Sequence, residues 1–375
     1  MIYLDHAAAA LILPEVKASC EMLLDRYSGN PEAAHRQGYK LRQELEQLQE
    51  KLYEAVAPQV VKDCRKCFFA DNATALLNAL SLILQNPAQT AWASALDHIA
   101  DNLMLKRTFG KVFAMPLDKS GRISGVPTDA VEADFIMLPH VQSEIGTRQD
   151  LAKLIPQLRK AAPRAIILLD MVQSAGLETY PQDAPLADLI LISGAKMGAG
   201  SGAALLVASS KCKFLAEKFA ALRQKDHLIG NTNVVQAAML TLAAQVAALQ
   251  RDEQSEKVSA INSFLRSNLE NMPLPNGKKL HLTIPAECAA KNIVHIILPG
   301  YQSGVLVRMF STENIMVSAG SACEAESGKP SAILTTLGYS QADAYSGLRV
   351  SFSGANTLTD AKIFLQVLKK LLQNY

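Results

Sequence analysis

Apolar residues fall along this chain in short unbroken runs, separated by longer stretches in which they recur every three or four positions. Leu189–Ile192 and Ala203–Val207 are two such runs, and between them lies Ser193-Gly-Ala-Lys-Met-Gly-Ala-Gly-Ser-Gly202. This predicts two buried strands flanking a loop of minimal side-chain bulk, in which Lys196 is the only long, chargeable group. Cys67–Ala70, Thr90–Ala95, Phe135–Leu138 and Ala165–Leu169 read as further strands, the last ending in Asp170. Leu41, Leu45, Leu48, Leu52 and Val56 keep helical spacing and predict a surface helix over Arg36–Val56. Asn72-Ala73-Thr74 opens an apolar helix over Ala75–Leu84. Strands separated by helix-length segments, each ending in polar residues, predict an open parallel α/β sheet with ligands beyond the carboxyl ends of its strands.

The second half has a different texture. From about Asn233 to Leu269 it is helical and Ala-rich, the expected bridge to a second domain. There Lys279–Ile284, Ile293–Leu298 and Leu348–Phe352 read as strands, and Ser303–Phe310 and Asp360–Gln373 as helices. Ile315-Met-Val317 leads into a loop of small residues that holds Cys323.

Composition narrows the class. A length of 375 residues suits two domains, and 49% hydrophobic against 19% charged residues provides for a full core. Lys+Arg minus Asp+Glu is 37 − 35 = +2, which leaves no electrostatic footprint for nucleic acid. No stretch approaches ~18 consecutive apolar residues, so no membrane-spanning helix is predicted. Met1–His6 lacks the basic-then-apolar pattern of a secretory leader, and six cysteines without close regular spacing make no disulfide framework. The expectation is a cytoplasmic chain with reduced thiols. Cys64-Arg-Lys-Cys67 has redox or zinc spacing, but with no second cysteine pair and no finger-spaced histidine, no metal site is expected.

The candidate chemistry gathers at strand ends. An aspartate closing one strand and a lysine just after the next fit an enzyme that binds pyridoxal phosphate: Lys196 would attach to the aldehyde and Asp170 would keep the ring nitrogen protonated. A helix-capping Asp170 and an incidental Lys196 stand as the plain alternative. Thr74, at a helix start, is a candidate anion ligand or an ordinary cap. Cys323, in a small polar loop, has the accessibility that thiol chemistry needs. Arg349 inside an apolar strand requires a partner or a ligand carboxylate. His98, Gln142 and Gln173 each follow a strand on the expected ligand side.

In order, these residues resemble the cysteine desulfurases of the class V aminotransferase group, fold type I pyridoxal phosphate enzymes. Ile2-Tyr-Leu-Asp-His-Ala-Ala8 is similar to that family's opening Y-L-D-N-A-A. Asn30-Pro31 with His35, Gly38 and Arg42 follows its N-P-S-S-x-H-x-x-G-x-x-x-R. Asn72-Ala-Thr74 resembles G-A-T-E, Asp97-His98 resembles E-H, and Val141–Gly146 resembles V-N-N-E-I-G. Asp170–Ser174 resembles D-A-x-Q-S, Ser193–Lys196 S-G-H-K, Gly320–Cys323 G-S-A-C, and Leu348–Ser351 I-R-F-S.

The resemblance implies an α/β fold with a large cofactor-binding domain, 16–240, on a mostly parallel seven-stranded sheet between helices. A smaller α+β domain, 1–15 with 241–375, carries the cysteine loop and the arginine. It makes Lys196 the Schiff-base lysine, Asp170 the partner of the ring nitrogen, Gln173 a neighbour of the ring hydroxyl and His98 a stacking residue and proton-transfer partner. Ala73, Thr74 and Ser193 fall at the phosphate. Gln142 stands for an asparagine at the ring hydroxyl and near substrate, and Asn231 with Thr232 for a threonine reaching a neighbouring subunit's phosphate. Cys323 becomes the persulfide-forming cysteine, with the loop length of the branch whose cysteine travels to an acceptor, and Arg349 the binder of the substrate carboxylate. The implied function is conversion of L-cysteine to L-alanine in a homodimer that passes sulfur to an acceptor protein, as in iron–sulfur cluster or tRNA-thiolation pathways. The chain departs from the family at Ala195, where a phosphate-contacting histidine belongs, at Gln142, and at Gln224–Asn233, which lacks the family's arginines. Two alternatives therefore stand beside it: a selenocysteine lyase or other class V aminotransferase, and a non-catalytic relative that binds a partner.

Overall fold

A computed structural model describes residues 1–128, 132–178, 180, 186–226, 228–270, 272–320 and 329–375. After β1 (Ile2–Tyr3), seven strands form one sheet: β2 (Lys66–Ala70), β3 (Asn86–Ser94), β4 (Phe109–Met115), β5 (Phe135–Pro139), β6 (Ile166–Asp170), β7 (Leu189–Ser193) and β8 (Ala203–Val207). Their spatial order is β2-β8-β7-β6-β5-β3-β4. β8 runs antiparallel to both neighbours, and the other pairs are parallel. The sheet is the mostly parallel one expected.

The strands are apolar at nearly every position because both faces are covered. Phe135 and Met137 pack on one side with Leu76, Leu80, Met104 and Phe219, whereas Ile136 and Leu138 pack on the other with Leu52, Ile155, Leu158 and Leu240. The registers bring the ends of β2, β5, β6 and β7 to one edge, with Pro139 beside Asp170, and Ser193 and Ala70 both beside Ala203.

A 36-residue helix, Val234–Leu269, links this body to a second core. At 1.5 Å per residue it is roughly 54 Å long. Leu240, Ala243 and Ala244 pack in the first core, and Val258, Ile261, Leu265 and Leu269 in the second. The second core is covered by the antiparallel strands β9 (His281–Leu282), β10 (Ile293–Ile297) and β12 (Gly347–Ser351), in the order β12-β10-β9. β1 pairs in parallel with β11 (Ile315–Met316), which ties the start of the chain to this unit. Alternation along β12 sends Leu348 and Val350 into the second core and Arg349 to the opposite face.

Three details differ from the expected elements. The expected strand Lys279–Ile284 is reduced to His281–Leu282, the pair that meets β10. The loop after β7 holds a helical turn, Gly194–Met197, closed by Gly198 at φ 78°. A Cβ on Gly194 would lie 2.1 Å from the Ser201 carbonyl oxygen, so that turn needs glycine at its start. Helix Ile99–Thr108 follows His98 where no helix was expected. No helix among the described residues is long and apolar enough to cross a membrane.

Candidate active site

The strand ends open into a cavity of about 310 Å³, lined by Ala73, Thr74, His98, Asp101, Gln142, Asp170, Gln173, Ser193, Ala195, Lys196 and Arg349, with Ala7 and Ala8 from the N-terminal segment. Nine of the eleven described residues expected at the site therefore share one cavity. Asn231 and Thr232 lie outside it, on the segment entering the long helix. Cys323 lies outside the described residues. The chain before it is anchored, since Ser318 and Arg349 exchange backbone hydrogen bonds at 3.2 and 2.8 Å.

Lys196 is placed by the turn after β7. The N-terminal segment is laced over that turn: Ala10 N–H donates to Ala195 O (2.8 Å), Leu13 N–H donates to Gly198 O (2.9 Å), and Lys196 Nζ donates to Ala8 O. Asp170 closes β6, one strand away. Its Oδ1 accepts from Val172 N–H at 2.7 Å. Burial pushes its carboxyl up to about 6, while Val172 N–H, Asp101 and Lys196 pull the other way.

His98 caps helix Ile99–Thr108, its Nδ1 accepting from Ala100 N–H at 3.2 Å. Nε2 is left as the nitrogen that can exchange a proton with a ligand. Burial and the Lys196 charge lower its pKa. Gln173 Nε2 donates to Ala7 O at 2.9 Å. Gln142 is committed to its own turn: Oε1 accepts from Glu144 and Ile145 N–H (2.7 and 2.8 Å), and Nε2 reaches Leu96 O at 3.4 Å. Only the remaining Nε2 hydrogen can face a ligand.

Asn72 caps helix Ala73–Leu84 by accepting from Ala75 N–H at 2.9 Å. The first N–H groups of this helix, with the Thr74 and Ser193 hydroxyls, form a donor set suited to an anion. Arg349, also in the lining, is 2% exposed; its Nη2 donates to Asp5 at 2.8 Å and its Nη1 to Ser143 O at 2.9 Å.

Three carboxyls at the site were not assigned roles from sequence. Asp5 sits against Arg349. Asp97 and Asp101, 4% and 1% exposed, crowd behind Asp170. Burial, and then the neighbouring carboxyls, push both well above the ordinary carboxylate range. Asp101 gave no sequence signal, because an acid at a core position of the helix after His98 erases that helix's amphipathic pattern. Asp5 carries no local signal, because its partner is 344 residues away.

The chain matches the aminotransferase class-V family over residues 2–364. IscS 1 of Bacillus subtilis is 26% identical, covering 99% of both chains. The cysteine desulfurase IscS of Dictyoglomus turgidum is 22% identical over 99% of this chain and 94% of its own. A solved NifS-like protein from Rickettsia africae covers 100% of both chains with a TM-score of 0.81 at 22% identity, so the fold is shared. Because the match takes in the sheet, the strand-end cavity and the second core alike, this chain belongs to the aminotransferase class-V family.

Proposed function

We propose that this chain is a pyridoxal phosphate-dependent desulfurase that converts L-cysteine and the Cys323 thiol to L-alanine and a Cys323 persulfide. Class V aminotransferases work with pyridoxal phosphate, and the cavity's residues fit it. A flat aldehyde with a basic ring nitrogen and a phosphate arm needs an amine, a buried carboxylate and a set of N–H and hydroxyl donors. The juxtaposition of Lys196, Asp170 and the Thr74 helix start in one cavity carries the proposal. The names of the relatives, cysteine desulfurase and NifS-like, point the same way.

When bound, the cofactor supplies an electron sink for the substrate carbon that loses its proton. Arg349 would grip the substrate carboxylate, which must displace Asp5 or share the guanidinium with it. Lys196 Nζ would move the α-proton, and His98 Nε2 would exchange protons near the sulfur. A Cys323 thiolate would attack the substrate sulfur. The S–S bond forms, the C–S bond breaks with its electron pair going to carbon, and that carbon takes up a proton to give alanine. In this reading 16–240 is the cofactor domain and the remainder is the small domain. The enzyme is a cytoplasmic homodimer in which Asn231 and Thr232 serve the second subunit's phosphate end, and a separate protein accepts the sulfur.

Purified protein given cysteine, pyridoxal phosphate and a thiol reductant should release alanine and sulfide in equal amounts. No alanine from the wild type, or full turnover by Cys323→Ala, would overturn the proposal. One observation favours a second reading, a cofactor-free binding protein: Thr74, Ser193 and Ala195 bring neither guanidinium nor imidazole to the phosphate end. Borohydride reduction and mass spectrometry separate the two. Cofactor mass on the peptide containing Lys196 supports the enzyme, and its absence supports the binding protein.

A further inference from the structure

Helix Ile99–Thr108 packs through Asp101, Met104, Leu105 and Thr108, so a carboxylic acid occupies the first position of its buried stripe. Asp101 is 1% exposed and lines the cavity beside Asp170. The two carboxyls line the same cavity and lie close enough for each to shift the other's titration, while the buried Oδ2 of Asp101 has no hydrogen-bond partner among the described residues. Two ionised carboxylates so close and so buried repel each other, so the pair holds a proton. The surroundings decide where. Asp170 has the Val172 N–H and the Lys196 charge to stabilise its anion, whereas Asp101 has the His98 backbone, with Asp97 close by to oppose a second charge.

We propose that Asp101 is a positioning residue that keeps its proton, donates it to Asp170, and so holds the Asp170 carboxylate toward the cavity while the pair carries one negative charge. The purpose of this arrangement rests on the reading of Asp170 as the ring-nitrogen carboxylate, but the arrangement itself does not. Every charged or titratable group facing the pair takes part: Asp97 before the helix, His98 at its cap, and Lys196 on the turn after β7.

Two measurements test it. The first is made on cofactor-free protein at pH 7 by infrared spectroscopy. Wild type should show the carbonyl stretch of neutral carboxylic acid, and Asp101→Asn should lose part of that intensity, with Asp97→Asn marking the separate contribution of Asp97. No neutral acid in the wild type, or an unchanged band in Asp101→Asn, overturns the proposal whether or not the protein binds pyridoxal phosphate. The second is the pH profile of pyridoxal phosphate affinity. Asp101→Asn keeps a donor to Asp170 and should stay within about threefold of wild type, whereas Asp101→Leu should bind at least about tenfold more weakly at pH 6. Losing the donor raises the Asp170 pKa, so the acid limb of the Asp101→Leu profile should move to higher pH. Equal losses in both variants with an unmoved acid limb would reduce Asp101 to packing and overturn the positioning role.

Discussion

Under the proposed function the cavity lining divides into a ring end and a phosphate end, and the two are built from opposite materials. At the ring end, Asp170 faces the cavity with the buried Asp101 and Asp97 close by and Lys196 in the same lining, and burial pushes all three carboxyls up. At the phosphate end there is a helix start, two hydroxyls and the methyl group of Ala195. The ring end concentrates titratable charge that each neighbour must compensate, so its properties are coupled and depend on pH. The phosphate end spreads its attraction over neutral donors, each worth little and none titrating. The proposed chemistry needs a fixed charge at the ring nitrogen, whereas affinity can be assembled from several small terms. Changes at the ring end should therefore alter what the protein does, and changes at the phosphate end how tightly it holds its cofactor.

Removing the ring-end amine should have the largest effect. Lys196→Ala should lower alanine production by at least about 10³-fold and leave no borohydride-fixed cofactor on the protein. Retained fixation would mean that another amine attaches the cofactor, and would remove the strongest contrast between the ends.

A second effect reads the crowding itself. A carboxyl whose folded pKa lies above its unfolded value stabilises the fold at low pH and loses that contribution as pH rises through the folded value. Asp97 is such a group, 4% exposed, with Oδ2 accepting from Ser94 N–H at 3.0 Å. Asp97→Asn can keep that acceptor without the titration. In thermal melts without cofactor, the variant should be more stable than wild type at pH 8, by about 2 °C or more, and the gap should narrow at pH 4. A gap that widens toward low pH would show that Asp97 is held as an anion. At the mouth, Asp5→Asn should tell the same story with a smaller change. It frees Arg349 for a substrate carboxylate, so KM for cysteine should fall about threefold to tenfold. The melting temperature should fall as well, because the buried guanidinium loses its partner.

Much of the fold was legible because β5, β6, β7 and β8 are buried on both faces and so read as uninterrupted apolar runs. Asp170 and Lys196 were legible for the same reason: a charge that ends an apolar run stands out. Helix Ile99–Thr108 was not, since Asp101 takes a core position while Ile99 and Leu103 are 56% and 44% exposed, which erases the amphipathic pattern. That inversion is what hid the partner of Asp170. Gln142 lines the cavity, but how much of its side chain is free for a ligand was not legible. Its Oε1 accepts two N–H groups of its own turn, a commitment set by the folded turn. Asp5 and Arg349 meet only through the tertiary fold, so no local pattern could join them.

The smallest expected effect lies at the phosphate end. Thr74→Ala removes one neutral donor at the start of helix Ala73–Leu84, and pyridoxal phosphate should bind about threefold to tenfold more weakly. The shape of the effect matters more than its size. Thr74 is itself a neutral donor, so in this reading the ratio of wild-type to variant affinity should stay constant from about pH 7 to 9, where the phosphate is already a dianion. A ratio that drifts over that range would couple Thr74 to the carboxyl cluster, and the cavity would then be one electrostatic unit instead of two ends with separate tasks.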